Sequence, residues 1–430
     1  MFDAIVVGGG IGGLATGALL TKKGFKVLLL EQAGILGGRA NSIDYKKQYI
    51  VDWGIHLLRF GDKGIAAQVF NALGERLEVV EPGEGRLFHE GQWFELPTKA
   101  DVLRRTPLLT DEDKKAVGGL LVKIIGTAPE KTLGLSIAEW LEDMGVSKRL
   151  EWIMKLISKL CITTHSPSDL SCGEVFTVIS GALKTGKSVG YPRGGWKSIV
   201  ERLASLILEG GGELKTNMRV EKITIDGRMR ARGIIAGSSR IEADNIVYAG
   251  TCQQLHNLVD EGDVGGAFLA RATAIMPTAG VSIDLGIRGK ASDLNGMVAI
   301  YEPFILGQFT SNIDPSVAPS GQQLATFLSV LSPDEVRKKT KVEQAFEVLE
   351  SYVLKMFPRI KGSILWKRKT TMDIVDGVLP STLQSREKRI GFMGPVKGLY
   401  FAGDCYDGEG GGSDIAFHSA RRCAEVIGNK

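Results

Sequence analysis

Residues 4 to 13 read AIVVGGGIGG, an apolar and mostly β-branched run that stops abruptly at a block of glycines. A short run of this kind predicts a buried strand, and the glycines after it predict a tight turn. Leu14, Ala15, Ala18 and Leu19 then recur at helical spacing as far as Lys22-Lys23-Gly24. A second apolar run, Val27 to Leu30, ends at Glu31. The order strand, glycine turn, helix, strand restricts the chain to an α/β arrangement with a parallel sheet. The 55 glycines in 430 residues lie well above the usual share of about 7%, so special backbone positions recur along the chain.

Gly8, Gly10 and Gly13 fit the pattern G-x-G-x-x-G in the context it requires. The first glycine makes the turn, the second lets the main chain approach a diphosphate, and the third lets helix and strand pack closely. Ile11, Gly12 and Gly13 open the helix, whose unpaired N–H groups attract an anion. Glu31, at the end of the second strand, is placed to accept hydrogen bonds from both ribose hydroxyls of an adenosine. The segment therefore predicts a dinucleotide site.

Gly37-Gly38-Arg39 follows closely, two further glycines that let the chain bend back and a guanidinium able to pair with a diphosphate. With these residues the chain resembles the FAD-dependent family that includes phytoene desaturases, protoporphyrinogen oxidases and flavin amine oxidases. The resemblance extends to Asp52-Trp53-Gly54-Ile55-His56, which matches the segment passing beside the isoalloxazine ring in that family. Tyr-Pro-x-Gly-Gly at 191 to 195 and the terminal block resemble the phytoene-desaturase branch in particular. Gly398 to Asp404 resembles the last FAD motif, with Gly403 and Asp404 at the ribityl and diphosphate region. Gly412, Ser413, Asp414 and Ile415 then begin a helix aimed at the flavin pyrimidine edge. The resemblance also implies that Gln32 lies beside the adenosine and that Val220 meets the adenine through its main chain. Noncovalent FAD is implied, because the attachment sequence of the amine oxidases is absent around Cys405. His56, in the segment that meets the flavin, and Tyr191, an aromatic near the domain junction that is placed to line the flavin face, are the candidate catalytic side chains.

The same resemblance implies a discontinuous, Rossmann-like FAD domain made from 1–84, 186–264 and 386–430. An α+β substrate domain formed by two insertions, 85–185 and 265–385, completes it. From 85 to 185 the pattern is helical. Ser136 and Glu139 stand at capping-box spacing, and Val102 to Ile125 is an apolar series interrupted by Lys114, Lys115 and Lys123. That series predicts a helical cover over a pocket, with a membrane-facing element as the alternative. Strands are expected near Gly280 to Leu285 and Leu324 to Leu331, and a helix over Val342 to Met356.

The net charge of +4, spread among acids, does not indicate nucleic acid. Five scattered cysteines without ligand spacing point to a reduced, cytoplasmic setting and no metal site. The opening MFDAIVV runs straight into the glycine loop, which leaves no room for a signal peptide, and no apolar stretch is long enough to span a bilayer. The expectation is an FAD-dependent oxidoreductase that removes a hydride from an apolar small molecule, an isoprenoid or carotenoid-like lipid, and passes it to an unknown electron acceptor. Peripheral membrane contact stays open. The alternatives are an amine or porphyrinogen oxidase, an isomerase using reduced FAD, and a flavin-free lipid chaperone of the GDP dissociation inhibitor type. Asp407 and Glu409, an acidic insert in the terminal block, carry no role at this level.

Overall fold

The computed structural model describes residues 2–54 and 57–429. Its first sheet is built from strands far apart in sequence. Glu213–Lys215, Val27–Leu30, Phe2–Val7 and Ser239–Tyr248 lie side by side in that order. Leu399–Phe401 adds in parallel to the C-terminal half of Ser239–Tyr248, pairing Ile246 with Leu399 and Tyr248 with Phe401. The N-terminal half of the same long strand turns away and pairs antiparallel with Arg230–Ala236, which in turn pairs with Lys222–Asp226. The parallel strands are buried on both faces, which is why Ile5, Val6, Leu28 and Leu29 read as continuous apolar runs rather than alternating ones.

Helices Ile11–Lys22, Trp196–Glu209 and Ser413–Gly428 cover one face of this sheet. Ile199, Val200, Leu203 and Ile207 form the buried stripe of the second, and Ala416, Ala420, Cys423 and Ile427 that of the third. Ile11–Lys22 is buried almost throughout and packs between the other two. The helix that follows the first strand thus joins the first and last segments of the chain.

A second sheet, largely antiparallel, runs in the order Ile364–Met372, Ala279–Arg288, Gln322–Leu331, Ile305–Gln308, Val298–Ile300, Arg86–His89, Gln92–Glu95. Helix Lys339–Met356 packs on it through Phe346, Leu349 and Val353. The region from 100 to 185 is helical, with Asp111–Gly126, Lys148–Cys161 and Cys172–Thr185 sharing one apolar core. The apolar series from 102 to 125 forms two helices, Ala100–Arg105 and Asp111–Gly126. Pro107 explains the break: it holds Thr106 extended, at φ −61° and ψ 135°. Ser136 and Glu139 make both bonds of the capping box, at 3.2 and 2.9 Å.

Candidate functional site

The glycine turn is dictated by contact as much as by conformation. A Cβ on Gly13 would lie 2.1 Å from the Gly8 carbonyl oxygen, and one on Gly12 would lie 2.9 Å from the Gly403 Cα. These two positions hold the helix against the first strand and against the last FAD-like motif. A Cβ on Gly10, by contrast, would meet nothing within 4 Å. Gly10 is the N-cap of Ile11–Lys22, no side chain caps that end, and no acid stands in its first turn. The helix therefore presents unsatisfied N–H groups to an open cradle, as anion binding requires.

Around the cradle stand the residues expected from sequence. Gly37 bridges to Gly10, its N–H donating to the Gly9 carbonyl at 2.7 Å, and Gly38 follows it at positive φ. Glu31 accepts from the Gly9 N–H at 2.7 Å and from the Ala33 N–H at 2.8 Å, and Gln32 beside it is exposed. The Glu31 carbonyl accepts from the Met218 N–H, which brings the segment before Lys222–Asp226 alongside. Val220, in that segment, is buried, and among the described residues its N–H and carbonyl enter no ladder or turn bond. Arg39 reaches across to Asp404 with two hydrogen bonds, 2.8 and 2.7 Å, and donates a third to the Val375 carbonyl. Asp404 also accepts from the Gly377 N–H at 2.7 Å. Gly403, at φ +146°, donates to the Ser419 hydroxyl at 2.9 Å.

Gly412 caps Ser413–Gly428 at φ +54°, and Asp414 and Ile415 are buried behind it. Asp414 is held by Arg59 at 2.9 Å, and the same guanidinium donates to the carbonyls of Gly411 and Cys161. Burial opposes the Arg59 charge, but Asp414 outweighs it and raises the arginine's pKa. Gly54 is buried at φ +97°. Ile55 and His56, expected against the ring, lie outside the described residues. Tyr191, expected at the reacting face, is instead fully buried, with its hydroxyl on Asp52 at 2.7 Å. Asp52 also accepts from Ser42, and burial pushes its pKa up to about 6. The Tyr191 hydroxyl is thus committed to holding Asp52 and does not line the cavity described next.

A cavity of about 380 Å³ opens between the helices of 100–185 and the loops at 81–85 and 96–100. Its wall is mostly apolar, with Leu120, Met154, Ile157, Val178 and Ile179 among the lining residues. Arg59 and Cys161 also line it, so the guanidinium that grips the start of Ser413–Gly428 touches the cavity as well. Burial pushes the Cys161 thiol up to about 11, which leaves it a poor nucleophile. Sequence reasoning missed Arg59 and also Asp376, whose carboxylate lies against Gly412. Arg59 ends the short run Leu57-Leu58, where nothing local distinguishes it from a surface charge. Asp376-Gly377 repeats the acid-and-glycine form of the cofactor loops, a faint signal.

The residues that meet at the cradle fit a dinucleotide: an uncapped helix start, an open Gly10, the Glu31 carboxylate at a strand end and the Arg39 guanidinium. Comparisons with known proteins agree. Residues 11–428 match the family model of flavin containing amine oxidoreductases. The chloroplastic 15-cis-phytoene desaturase of Arabidopsis thaliana is 28% identical over 274 residues, 57% of this chain and 47% of that protein. The chain thus spans about half the length of the first curated relatives it matches. A prolycopene isomerase of Daucus carota is 24% identical over 496 residues, 95% of this chain and 77% of that protein. An oxidoreductase from Methanosarcina mazei shares the fold, with a TM-score of 0.83 at 22% identity over 98% of this chain and 99% of that one. The flavin-free chaperone alternative is thereby set aside. The chain belongs to the flavin-containing amine oxidoreductases, and its cofactor is FAD.

Proposed function

We propose that this protein oxidises an apolar small molecule of isoprenoid or carotenoid-like type by removing a hydride from it. The observation that carries this reading is the apolar cavity, at whose lining Arg59 also holds the start of the last helix. Bound FAD supplies the hydride-accepting chemistry, and the chain supplies binding and orientation. The first-turn N–H groups from Ile11 to Gly13 and Arg39 hold the diphosphate. Glu31 still has lone pairs for ribose hydroxyls, with Gln32 alongside, and the Val220 main chain meets the adenine. Asp404 holds the ribityl region, and the start of Ser413–Gly428 directs its positive end at the flavin pyrimidine edge, where negative charge gathers on reduction. Tyr191 acts through Asp52 as a positioning residue. In this reading the cofactor domain comprises 1–84, 186–264 and 386–430, and the substrate domain the two segments between.

The cavity gives the first test. Leu120→Trp adds an indole to its wall, and overpacking of that kind costs about 1–3 kcal/mol without disturbing the distant glycine cradle. The variant should retain FAD and still be reduced by dithionite, yet its flavin should no longer be reduced by a polyisoprenoid. Unchanged reduction by the polyisoprenoid would mean that substrate does not use this cavity.

No helix among the described residues is long and apolar enough to cross a membrane. The outer face near the cavity nevertheless exposes Val122, Ile125 and Leu183, and Leu183 also lines the cavity. Lys115 and Lys123 stand on the same helix as Val122 and Ile125, which suits an anionic lipid surface. We read this face as a peripheral membrane contact through which an apolar substrate reaches the cavity. Sedimentation with vesicles of phosphatidylglycerol and phosphatidylcholine should carry the protein down, and Val122→Ser with Ile125→Ser should release most of it. Equal sedimentation of the double variant would rule this face out.

A further inference from the structure

Five charged side chains converge between the strand end at Asp404 and the helix start at Gly412. Four are paired: Arg39 with Asp404 at 2.7 Å, and Arg59 with Asp414 at 2.9 Å. The fifth is Asp376. Its carboxylate forms no ion pair or hydrogen bond among the described residues, although it is half-buried. It lies so close to Gly412 that a Cβ there would come within 2.3 Å of its Oδ1. The next residue, Gly377, donates its N–H to Asp404. Asp376 is therefore tied to both ends of the last cofactor motif while its own charge is left without a partner.

We propose that Asp376 belongs to the cofactor site and that FAD binding places one proton on its carboxylate. The proposal rests on the reading of Arg39, Asp404 and Gly412 as cofactor contacts. Three carboxylates stand here against two guanidiniums, so the ionised cluster already carries an excess negative charge. A bound diphosphate brings more negative charge to the same place and shares Arg39. Like charges nearby disfavour ionisation, so one carboxylate must yield. Asp404 and Asp414 each touch a guanidinium, at 2.7 and 2.9 Å, whereas Asp376 touches none among the described residues, so the proton goes to Asp376.

The free protein is already biased that way. Burial, followed by the charge of Asp404, raises the Asp376 pKa to about 6, with Asp414 adding to the rise and Arg59 and Arg39 opposing it. Below that pKa the carboxylate is protonated before FAD arrives, and affinity does not depend on its ionisation. Above it each binding event takes up a proton, so affinity falls as pH rises, by up to about tenfold per pH unit. The fall ends at the higher pKa of the bound state. His418, near Asp414 and Glu409, is the other titrating group close by, and burial lowers its pKa.

The test is titration of the apoprotein with FAD, followed by flavin fluorescence, between about pH 5.5 and pH 8.5. Calorimetry near neutral pH, in two buffers of different ionisation enthalpy, accompanies it. Wild type should show an FAD Kd that rises tenfold or more across the range, with measurable proton uptake. Asp376→Asn should give a level profile, no uptake, and tighter binding than wild type at the alkaline end. His418→Gln should keep the wild-type slope. A flat wild-type profile without uptake overturns the proposal, as does a slope that survives in Asp376→Asn or disappears in His418→Gln. Should Asp376→Asn fail to fold, Asp376→Glu replaces it: retained uptake supports the proposal, and lost uptake overturns it. Failure of wild type to bind FAD at any pH would overturn the cofactor contacts themselves, whereas binding without proton uptake would overturn only the role of Asp376.

Discussion

Arg389→Ala is expected to destabilise the protein by about 3–5 kcal/mol, the cost of breaking a buried ion pair by removing one partner. Arg389 and Glu174 are both fully buried, with Nη2 2.6 Å from Oε1. Arg389 also donates to the carbonyls of Gln384 and Gly408, and the Arg386 N–H donates to Glu174. Removing the guanidinium leaves a buried carboxylate without its cation and two carbonyls without donors. Denaturant unfolding should show the loss directly. Glu174→Ala should cost a similar amount, and the double variant should cost much less than the sum of the two, because each single change strands the other partner. A loss below about 1 kcal/mol for Arg389→Ala would mean that the pair is not buried as described.

The same pair anchors the loop at 407 to 409 by its main chain. Gly408 supplies a carbonyl to Arg389, Glu409 meets Arg386 at 3.3 Å, and the Asp407 N–H donates to the Ile390 carbonyl. Glu174 opens the helix Cys172–Thr185, and Val178, Ile179 and Leu183 of that helix line the cavity. One guanidinium thus fixes a cavity-lining helix to the loop that follows Asp404.

The second large effect separates folding from cofactor binding within a single turn. Gly13→Ala places a methyl carbon 2.1 Å from the Gly8 carbonyl oxygen, a backbone atom with no room to yield. The helix must move off the strand, with a stability cost of about 1–3 kcal/mol or more and loss of FAD binding. Gly10→Ala adds the same methyl where nothing lies within 4 Å, at φ −69°, an angle any residue adopts. Its apoprotein should unfold within about 0.5 kcal/mol of wild type. The methyl nevertheless points into the cradle, so FAD affinity should fall by more than tenfold. Equal FAD affinity in wild type and Gly10→Ala would remove the diphosphate from this turn.

What the sequence made legible divides along physical lines. The glycines at 8 to 13, 37, 38 and 403 could be read because each answers a local backbone demand that few residues meet, and Glu31, Arg39 and Asp404 because they stand beside those glycines or at a strand end in a local motif. Helix starts were equally open, since Ser136 and Glu139 write their cap within four residues. Arg59, Asp376 and Arg389 could not be read, because no local motif marks them: Arg59 meets Asp414, Arg389 meets Glu174 and Asp376 comes against Gly412 only in the folded chain. Tyr191 illustrates the opposite difficulty. An aromatic beside glycines suggested a ligand face, whereas its hydroxyl is spent on Asp52, far away in sequence. The cavity belongs to no single segment, and only the packing of several helices against the loop at 81–85 creates it.

The most direct measurement is anaerobic titration of the FAD-loaded protein, watching the visible flavin band, with a polyisoprenoid hydrocarbon in one series and primary amines in another. The polyisoprenoid should reduce the flavin stoichiometrically and gain a C=C bond, while the amines leave the band unchanged. Reduction by an amine, with none by any polyisoprenoid, would contradict the proposed function.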